Sequence, residues 1–178
     1  MTLSTNLEHS QYLNATDTYI MFGQSPSDDS HDNSAQQRRV ISSRFGKVEV
    51  DPAKAIHFAR GLLGIPDRYR YALANFPSEK MRQFMLLQSL EEDVLSFITL
   101  PLPLENAIID AGDLRTACKE LQIKEGNLAI LVIVSVHRSP GDVKLSVNAR
   151  APLFIDAERQ LGVQYVFHSD RYQIQHML

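Results

Sequence analysis

MLLQSLEEDVLSFITL, residues 85–100, consists of an apolar run, an acidic stretch and a second apolar run that ends against Pro101. Aromatic and β-branched side chains at residues 97–99 favour a strand, and the carboxylates at residues 91–93 favour a solvent-exposed turn. The stretch therefore predicts a β-hairpin closed by an acidic turn, with Pro101 stopping the second strand. A helix is the competing interpretation, because four apolar residues also share a helical spacing: Leu86, Leu90, Val94 and Phe97.

Length and composition indicate one folded domain. The chain has 178 residues, 44% of them hydrophobic, which is enough for a sizeable core. No apolar run approaches the about 20 residues of a membrane span, and the start of the chain lacks the pattern of a secretion signal. We therefore expect a cytoplasmic protein that does not enter a membrane. The single cysteine, Cys118, excludes an intrachain disulfide and is interpreted as a small buried hydrophobe.

Residues 1–38 differ in composition from the rest of the chain. They are rich in Ser, Thr, Asp, Asn and Gln, and they carry five carboxylates against one arginine, a net charge of −4. Such a segment has few groups that could offset the entropy of ordering, so we predict a disordered polar tail. Its one apolar cluster is Tyr-Ile-Met-Phe at residues 19–22. This cluster either docks, on a partner or on the folded domain itself, or is a chance cluster in the tail without a role.

Residues 39–178 predict a mainly β, antiparallel barrel-like domain with one short helix, a sandwich being the related alternative. Residues 127–136 are almost all apolar and predict a strand covered on both faces. Alternation over residues 143–149 predicts a strand with Lys144, Ser146 and Asn148 towards water, and residues 163–167 predict the final strand. Asp113 is the expected cap of the helix, which extends to Leu121. Two glycines are interpreted as turn residues with positive φ: Gly61 and Gly64.

The search for catalytic or metal-binding patterns finds none that the spacing supports. Six histidines are scattered without metal-ligand spacing, so no metal is expected. Ser89, His137 and Asp156 lack a nucleophile elbow, and adjacent carboxylates at Glu91 and Glu92 do not form an acid–base pair. We therefore predict that the chain is not an enzyme and needs no cofactor.

Charge along the folded part points to an acidic surface. No Lys or Arg lies between Arg82 and Arg115, whereas six carboxylates do. The segment is either an ordinary solvated surface or a contact for a basic protein partner. Either interpretation argues against direct binding of nucleic acid, because phosphates require a basic stripe.

Several short motifs, in this order along residues 44–178, resemble those of the flagellar assembly factor FliW family. They are Phe58-x-x-Gly61-Leu62-Leu63-Gly64-Ile65, Leu86-Leu87-Gln88-Ser89-Leu90-Glu91 with Leu95-x-Phe97, Val147-Asn148-Ala149-x-Ala151-Pro152-Leu153-Phe154-Ile155, and Tyr172-x-x-x-His176-x-Leu178. The resemblance implies a β-rich domain without catalytic activity. It also implies cytoplasmic binding of flagellin and antagonism of the translational regulator CsrA.

The resemblance gives the acidic and apolar residues candidate roles. An RNA-binding regulator must be basic somewhere, so Glu91, Glu92 and Asp93 are candidate partner contacts. Four apolar residues are expected to be exposed in a groove that binds a helical flagellin segment: Leu102, Leu104, Ile108 and Ile109. The alternative is that these four residues fill the core beneath the helix. The alternatives are a flagellin-binding chaperone without CsrA control, a cofactor-binding barrel oxidoreductase and an RNA-binding barrel.

Overall fold

The computed structural model describes residues 38–76 and 78–178. The predicted tail, except Arg38, and the apolar cluster at residues 19–22 lie outside the described residues. The described part contains one α-helix, α1 (Ala111–Glu120), and eleven strands. The strands are β1 (Arg39–Ser43), β2 (Gly46–Val50), β3 (Ile56–Phe58), β4 (Arg70–Asn75), β5 (Met85–Ser89), β6 (Ser96–Leu102), β7 (Leu128–Ser139), β8 (Asp142–Val147), β9 (Leu153–Asp156), β10 (Leu161–Gln164) and β11 (His176–Met177).

Seven strands form a closed ring. Hydrogen-bonded neighbours run in the order β3, β4, β5, β6, β7, β9 and β10, and β10 returns to β3. All pairs in the ring are antiparallel except β3–β10. The hairpin β1–β2 lies outside the ring, and β8 and β11 extend from the second half of β7. The prediction of a mainly β, barrel-like domain with one short helix is confirmed.

The hairpin of β5 and β6 confirms the interpretation of residues 85–100 as strands. Its register pairs Leu86 with Ile98. Pro101 does not stop the second strand as expected, because β6 continues to Leu102. Pairing with β5 ends at Thr99, so this last part of β6 has β7 as its single neighbour. A proline lacks one hydrogen-bond donor, and a position with a free side tolerates that loss.

Two apolar cores lie on the two faces of the ring. The interior holds side chains from β3, β4, β5, β7 and β9, with Phe58, Tyr71 and Leu131 at 1% exposure or less. The outer core lies between the ring and the elements that cover it, namely β1, β2, α1 and the C-terminal segment. The strand β7 contributes to both cores, Leu131 to the interior and Val132 to the outer one. The predicted double coverage therefore holds for the first half of β7, whereas residues 135–139 extend beyond the ring and are mostly exposed.

The helix begins three residues earlier than expected. Asp110, not Asp113, is its cap, and its Oδ1 accepts hydrogen bonds from the backbone N–H groups of Gly112 and Asp113. Asp113 instead accepts a hydrogen bond from the hydroxyl of Tyr172. Cys118 is buried as expected, and burial raises the pKa of its thiol.

The C-terminal strands differ from the expectation in two places. Val143 is exposed because it follows the part of β7 that extends beyond the ring. Ser146, expected in water, is fully buried because β8 lies between β7 and β11 at this residue. The strand expected at residues 163–167 is β10, which ends at Gln164, and Tyr165 and Phe167 leave the sheet to pack on the outer core. Within the described residues, no helix is both long and apolar enough to cross a membrane.

Candidate functional site at the acidic turn

The acidic turn, residues 90–95, joins β5 to β6, and two side chains at the end of β5 bind its backbone groups. The hydroxyl of Ser89 accepts hydrogen bonds from the N–H groups of Glu91 and Glu92, at 3.2 and 3.1 Å. The buried amide Nε2 of Gln88 donates to the carbonyl oxygens of Asp93 and Leu95, at 3.0 and 3.1 Å. These bonds hold the three carboxylates in a defined arrangement at one end of the ring.

Glu91 is bound to the neighbouring strand. Its Oε2 accepts hydrogen bonds from the backbone N–H groups of Arg70 and Tyr69, at 3.0 and 2.6 Å. The bond from Arg70 has the largest effect, and together the two bonds lower the pKa of Glu91 although desolvation of the carboxylate opposes them. Glu91 therefore anchors the turn to β4, in addition to carrying charge.

Glu92 and Asp93 form ion pairs with arginines from other parts of the chain. The Nε of Arg68 lies 3.1 Å from Glu92 Oε2, and Nη2 of Arg39 lies 2.8 Å from Asp93 Oδ1. Arg39 also donates to the carbonyl oxygen of Leu90, at 3.3 Å. The Glu92 and Asp93 side chains are 43% and 52% exposed, and such pairs contribute about 0–1 kcal/mol. Replacement of these two ion pairs by contacts with a charged partner would therefore cost little free energy.

The four predicted groove residues are less accessible than expected. Leu102 and Ile109 are buried in the outer core, and Leu104 and Ile108 are partly buried against it. Of the two alternatives, filling of the core therefore holds for Leu102 and Ile109, and the expected exposure does not. The side-chain oxygen of Asn106 accepts hydrogen bonds from the N–H groups of Ile108 and Ile109, which folds this loop against the start of α1. Contact of any of the four with flagellin stays a prediction.

Other polar residues singled out in the sequence have separate local partners. Ser89 binds the acidic turn, His137 Nε2 lies 2.7 Å from Ser146 Oγ, and Asp156 accepts from Arg159. Among the described residues, no three His, Cys, Asp or Glu side chains cluster as metal ligands would. A surface pocket of about 220 Å³ beside Arg38 is smaller than the roughly 300–1,000 Å³ of typical small-molecule sites.

Glu91→Gln is expected to make stability less dependent on pH in the acid range. Because folding lowers the pKa of Glu91, its stabilisation is present above the ordinary value of 4.5 and is lost as the pH falls through the lower folded value. The difference in unfolding free energy between wild type and variant should therefore shrink as the pH falls below 4.5, as measured by urea denaturation at a series of pH values. A constant difference over this range would show that the ionised form is not selectively bound.

Glu92→Gln is the control for this experiment, because Glu92 meets the partly exposed side chain of Arg68 rather than two backbone donors. Its expected cost at pH 7 is about 0–1 kcal/mol.

The ring of strands and the acidic turn define a small, mainly β domain whose polar site is an exposed ion-pair network assembled from distant parts of the chain. A family model described as FliW protein matches residues 39–178. The chain belongs to the FliW family, as the sequence motifs predicted.

Curated relatives carry the name flagellar assembly factor FliW. The protein of Natranaerobius thermophilus is 34% identical over 143 residues, which cover 79% of this chain and 91% of that protein. A Clostridium botulinum protein, from strain Langeland, is 32% identical over 140 residues, covering 75% and 91%. A crystal structure of the flagellar assembly factor FliW aligns with a TM-score of 0.58 and 22% identity, covering 78% of this chain and 96% of that one. The structural match supports the fold.

Proposed function

We propose that this chain is a non-enzymatic, cytoplasmic flagellar assembly factor that binds flagellin and antagonises CsrA. Free protein would relieve repression of flagellin translation, and accumulating flagellin would recapture the protein. In physical terms, two partners share one binder, and occupancy by one sets how much binder remains for the other. Membership of the FliW family supports the assembly role.

The observation that carries the CsrA part is the construction of the acidic turn. Glu91 is fixed to the backbone of β4, so the turn keeps its shape when a partner arrives. Glu92 and Asp93 hold weak, half-exposed ion pairs that a basic surface could replace or extend. A fixed backbone with replaceable counter-ions suits electrostatic recognition of an RNA-binding protein.

The flagellin part rests on a narrower apolar surface than the sequence predicted. Leu104 and Ile108 are the two candidates that keep partial exposure. We place them in contact with a helical flagellin segment, with Leu102 and Ile109 supporting them from the outer core.

Replacing Glu92 and Asp93 by lysine is expected to weaken CsrA binding without unfolding the domain. The association rate constant should fall by about tenfold at low salt, and its salt dependence should weaken. Glu91 is kept because it anchors the turn. Stopped-flow association and calorimetry with the CsrA of the same organism, at two salt concentrations, measure the change.

The matched control is Glu79→Lys with Asp170→Lys, which changes the net charge equally at side chains that are 84% and 97% exposed. Equal binding of CsrA by the two double variants would show that the acidic turn is not part of the interface. Parallel titrations with flagellin separate the alternatives, because binding of flagellin alone would indicate a chaperone without CsrA control.

A further inference from the structure

The outer face of β10 exposes apolar side chains that no described element covers. Leu161 and Val163 are 41% and 42% exposed, and Tyr69, just before β4, is 38% exposed. The ring of His57 on β3 lies beside that of Tyr69, with their centroids 6.2 Å apart. We call these four residues the β10 patch. Contiguous apolar surface of this kind marks an interaction site on a folded domain.

The register explains why these side chains point outwards. Leu161 lies opposite His57 on β3, and His57 lies opposite Arg70 on β4, so the three share the outer face. Gly162, between Leu161 and Val163, faces inwards, where an added Cβ would meet the ring of Phe58. The apolar residues of β10 therefore do not belong to the interior core.

The side chain of Arg39, near the start of the described chain, reaches the acidic turn, which borders this patch. Arg39 binds Asp93 and the carbonyl oxygen of Leu90 in the acidic turn. The same turn binds the backbone of Tyr69 and Arg70 through Glu91. Arg70 follows Tyr69 and lies opposite His57, and from Arg70 the strand β10 is two strands away, about 10 Å at ordinary strand spacing.

We propose that residues 19–22 of the same chain, Tyr-Ile-Met-Phe, dock on the β10 patch. Sixteen peptide units separate Phe22 from Arg38, and a flexible linker of that length would span about 20–24 Å, roughly twice the spacing from β4 to β10. The tether gives the cluster an effective concentration on the order of millimolar, so weak apolar contacts suffice.

Charge around the patch is mixed. Residues 1–37 contain five carboxylates and no Lys or Arg. Two exposed arginines flank the patch, Arg70 beside His57 and Arg60 just beyond β3. Carboxylates lie there as well, because Glu91 accepts from the backbone of Tyr69 and Arg70 and the exposed Asp67 precedes Tyr69 by two residues. Charge therefore does not select the occupant, and the cluster at residues 19–22, which carries no charge itself, docks through apolar contacts. This docking is independent of the proposed partners, and its test uses neither of them.

A tryptophan probe in the full chain tests the proposal, because the natural sequence contains no tryptophan. The fluorescence emission maximum of the Leu161→Trp variant should lie to the blue of that of a fully solvated tryptophan. It should move to the red when Ile20→Ser and Phe22→Ser are added. Val143→Trp is the control, since Val143 is 63% exposed on β8, outside the ring, and its emission should not respond. An unchanged Leu161→Trp maximum would overturn the proposal.

Disulfide trapping supplies a second readout that does not depend on tryptophan. Full chains with Phe22→Cys and Leu161→Cys should crosslink within one chain at least about tenfold faster than chains with Phe22→Cys and Val143→Cys. Cys118 does not compete, because it is 2% exposed. Crosslinks between chains, which would indicate a second copy as the occupant, or equal rates for the two pairs would overturn the proposal.

Discussion

Replacing Leu131 by alanine is expected to lower the free energy of unfolding by about 2–5 kcal/mol, a large share of a small domain's stability. Leu131 is 1% exposed in the first half of β7, with Leu153 opposite it on β9 and Pro101 opposite it on β6. Strands pair with β7 on both sides at this point and close the ring, so the neighbours cannot move in to fill the space. Urea denaturation, with the midpoint and the slope compared, measures the loss.

Ile133→Ala is the matched control on the same strand and the same face. Ile133 also borders the interior core but is only partly buried, so its truncation should cost clearly less than that of Leu131. The sequence assigned these two residues equal weight, and only the position of each within the ring distinguishes them. Equal losses, or a larger loss for Ile133, would show that Leu131 does not occupy a closed interior.

The parts of the fold that sequence predicted were those with a local signal. Residues 85–100 combine strand-forming residues with an acidic turn, and they form the β5–β6 hairpin. The positive φ angles of Gly61 and Gly64 likewise follow from the needs of a tight turn. These features depend on neighbours along the chain, which a single sequence displays.

The errors in the fold come from features set by distant pairing. Alternation predicted which β8 residues share a face but not that β8 would follow β7 beyond the ring, which leaves Val143 in solvent. Asp110 and Asp113 are both plausible caps by residue type, and the contact of Asp113 with Tyr172 is made across 59 residues. No local pattern contains that information.

The candidate site shows the same division. Its carboxylates were identified from their run in the sequence, but their partners were not. Arg39 is 54 residues from Asp93, and Arg68 is 24 residues from Glu92. Backbone N–H groups anchor Glu91, and because every residue type except proline has such a group, the sequence does not indicate this contact. A charge run therefore predicts a polar surface, whereas its rigidity depends on the pairing of the ring.

Alanine at Gly61 is expected to destabilise the fold by about 2–5 kcal/mol, because two costs add there. Its φ of +63° is a left-handed conformation, which costs about 1–2 kcal/mol for an L-residue. An added Cβ would also meet the carbonyl oxygen of Ile65 and lie 2.8 Å from Cα of Pro66. Both are backbone atoms, held by reciprocal hydrogen bonds between Leu62 and Ile65. Leu62, 3% exposed, belongs to the interior core and would be displaced.

Gly64→Ala separates the two costs. Gly64 also has a positive φ, +83°, but nothing lies within 4 Å of an added Cβ. Its substitution should therefore cost only the conformational strain, about 1–2 kcal/mol. The difference in unfolding free energy between the two variants then measures the steric crowding at Gly61. Thermal and urea unfolding of both variants provide the comparison. If both alanines cost the same, the Leu62–Ile65 loop must shift freely, and Leu62 would then not be held rigidly in the ring interior.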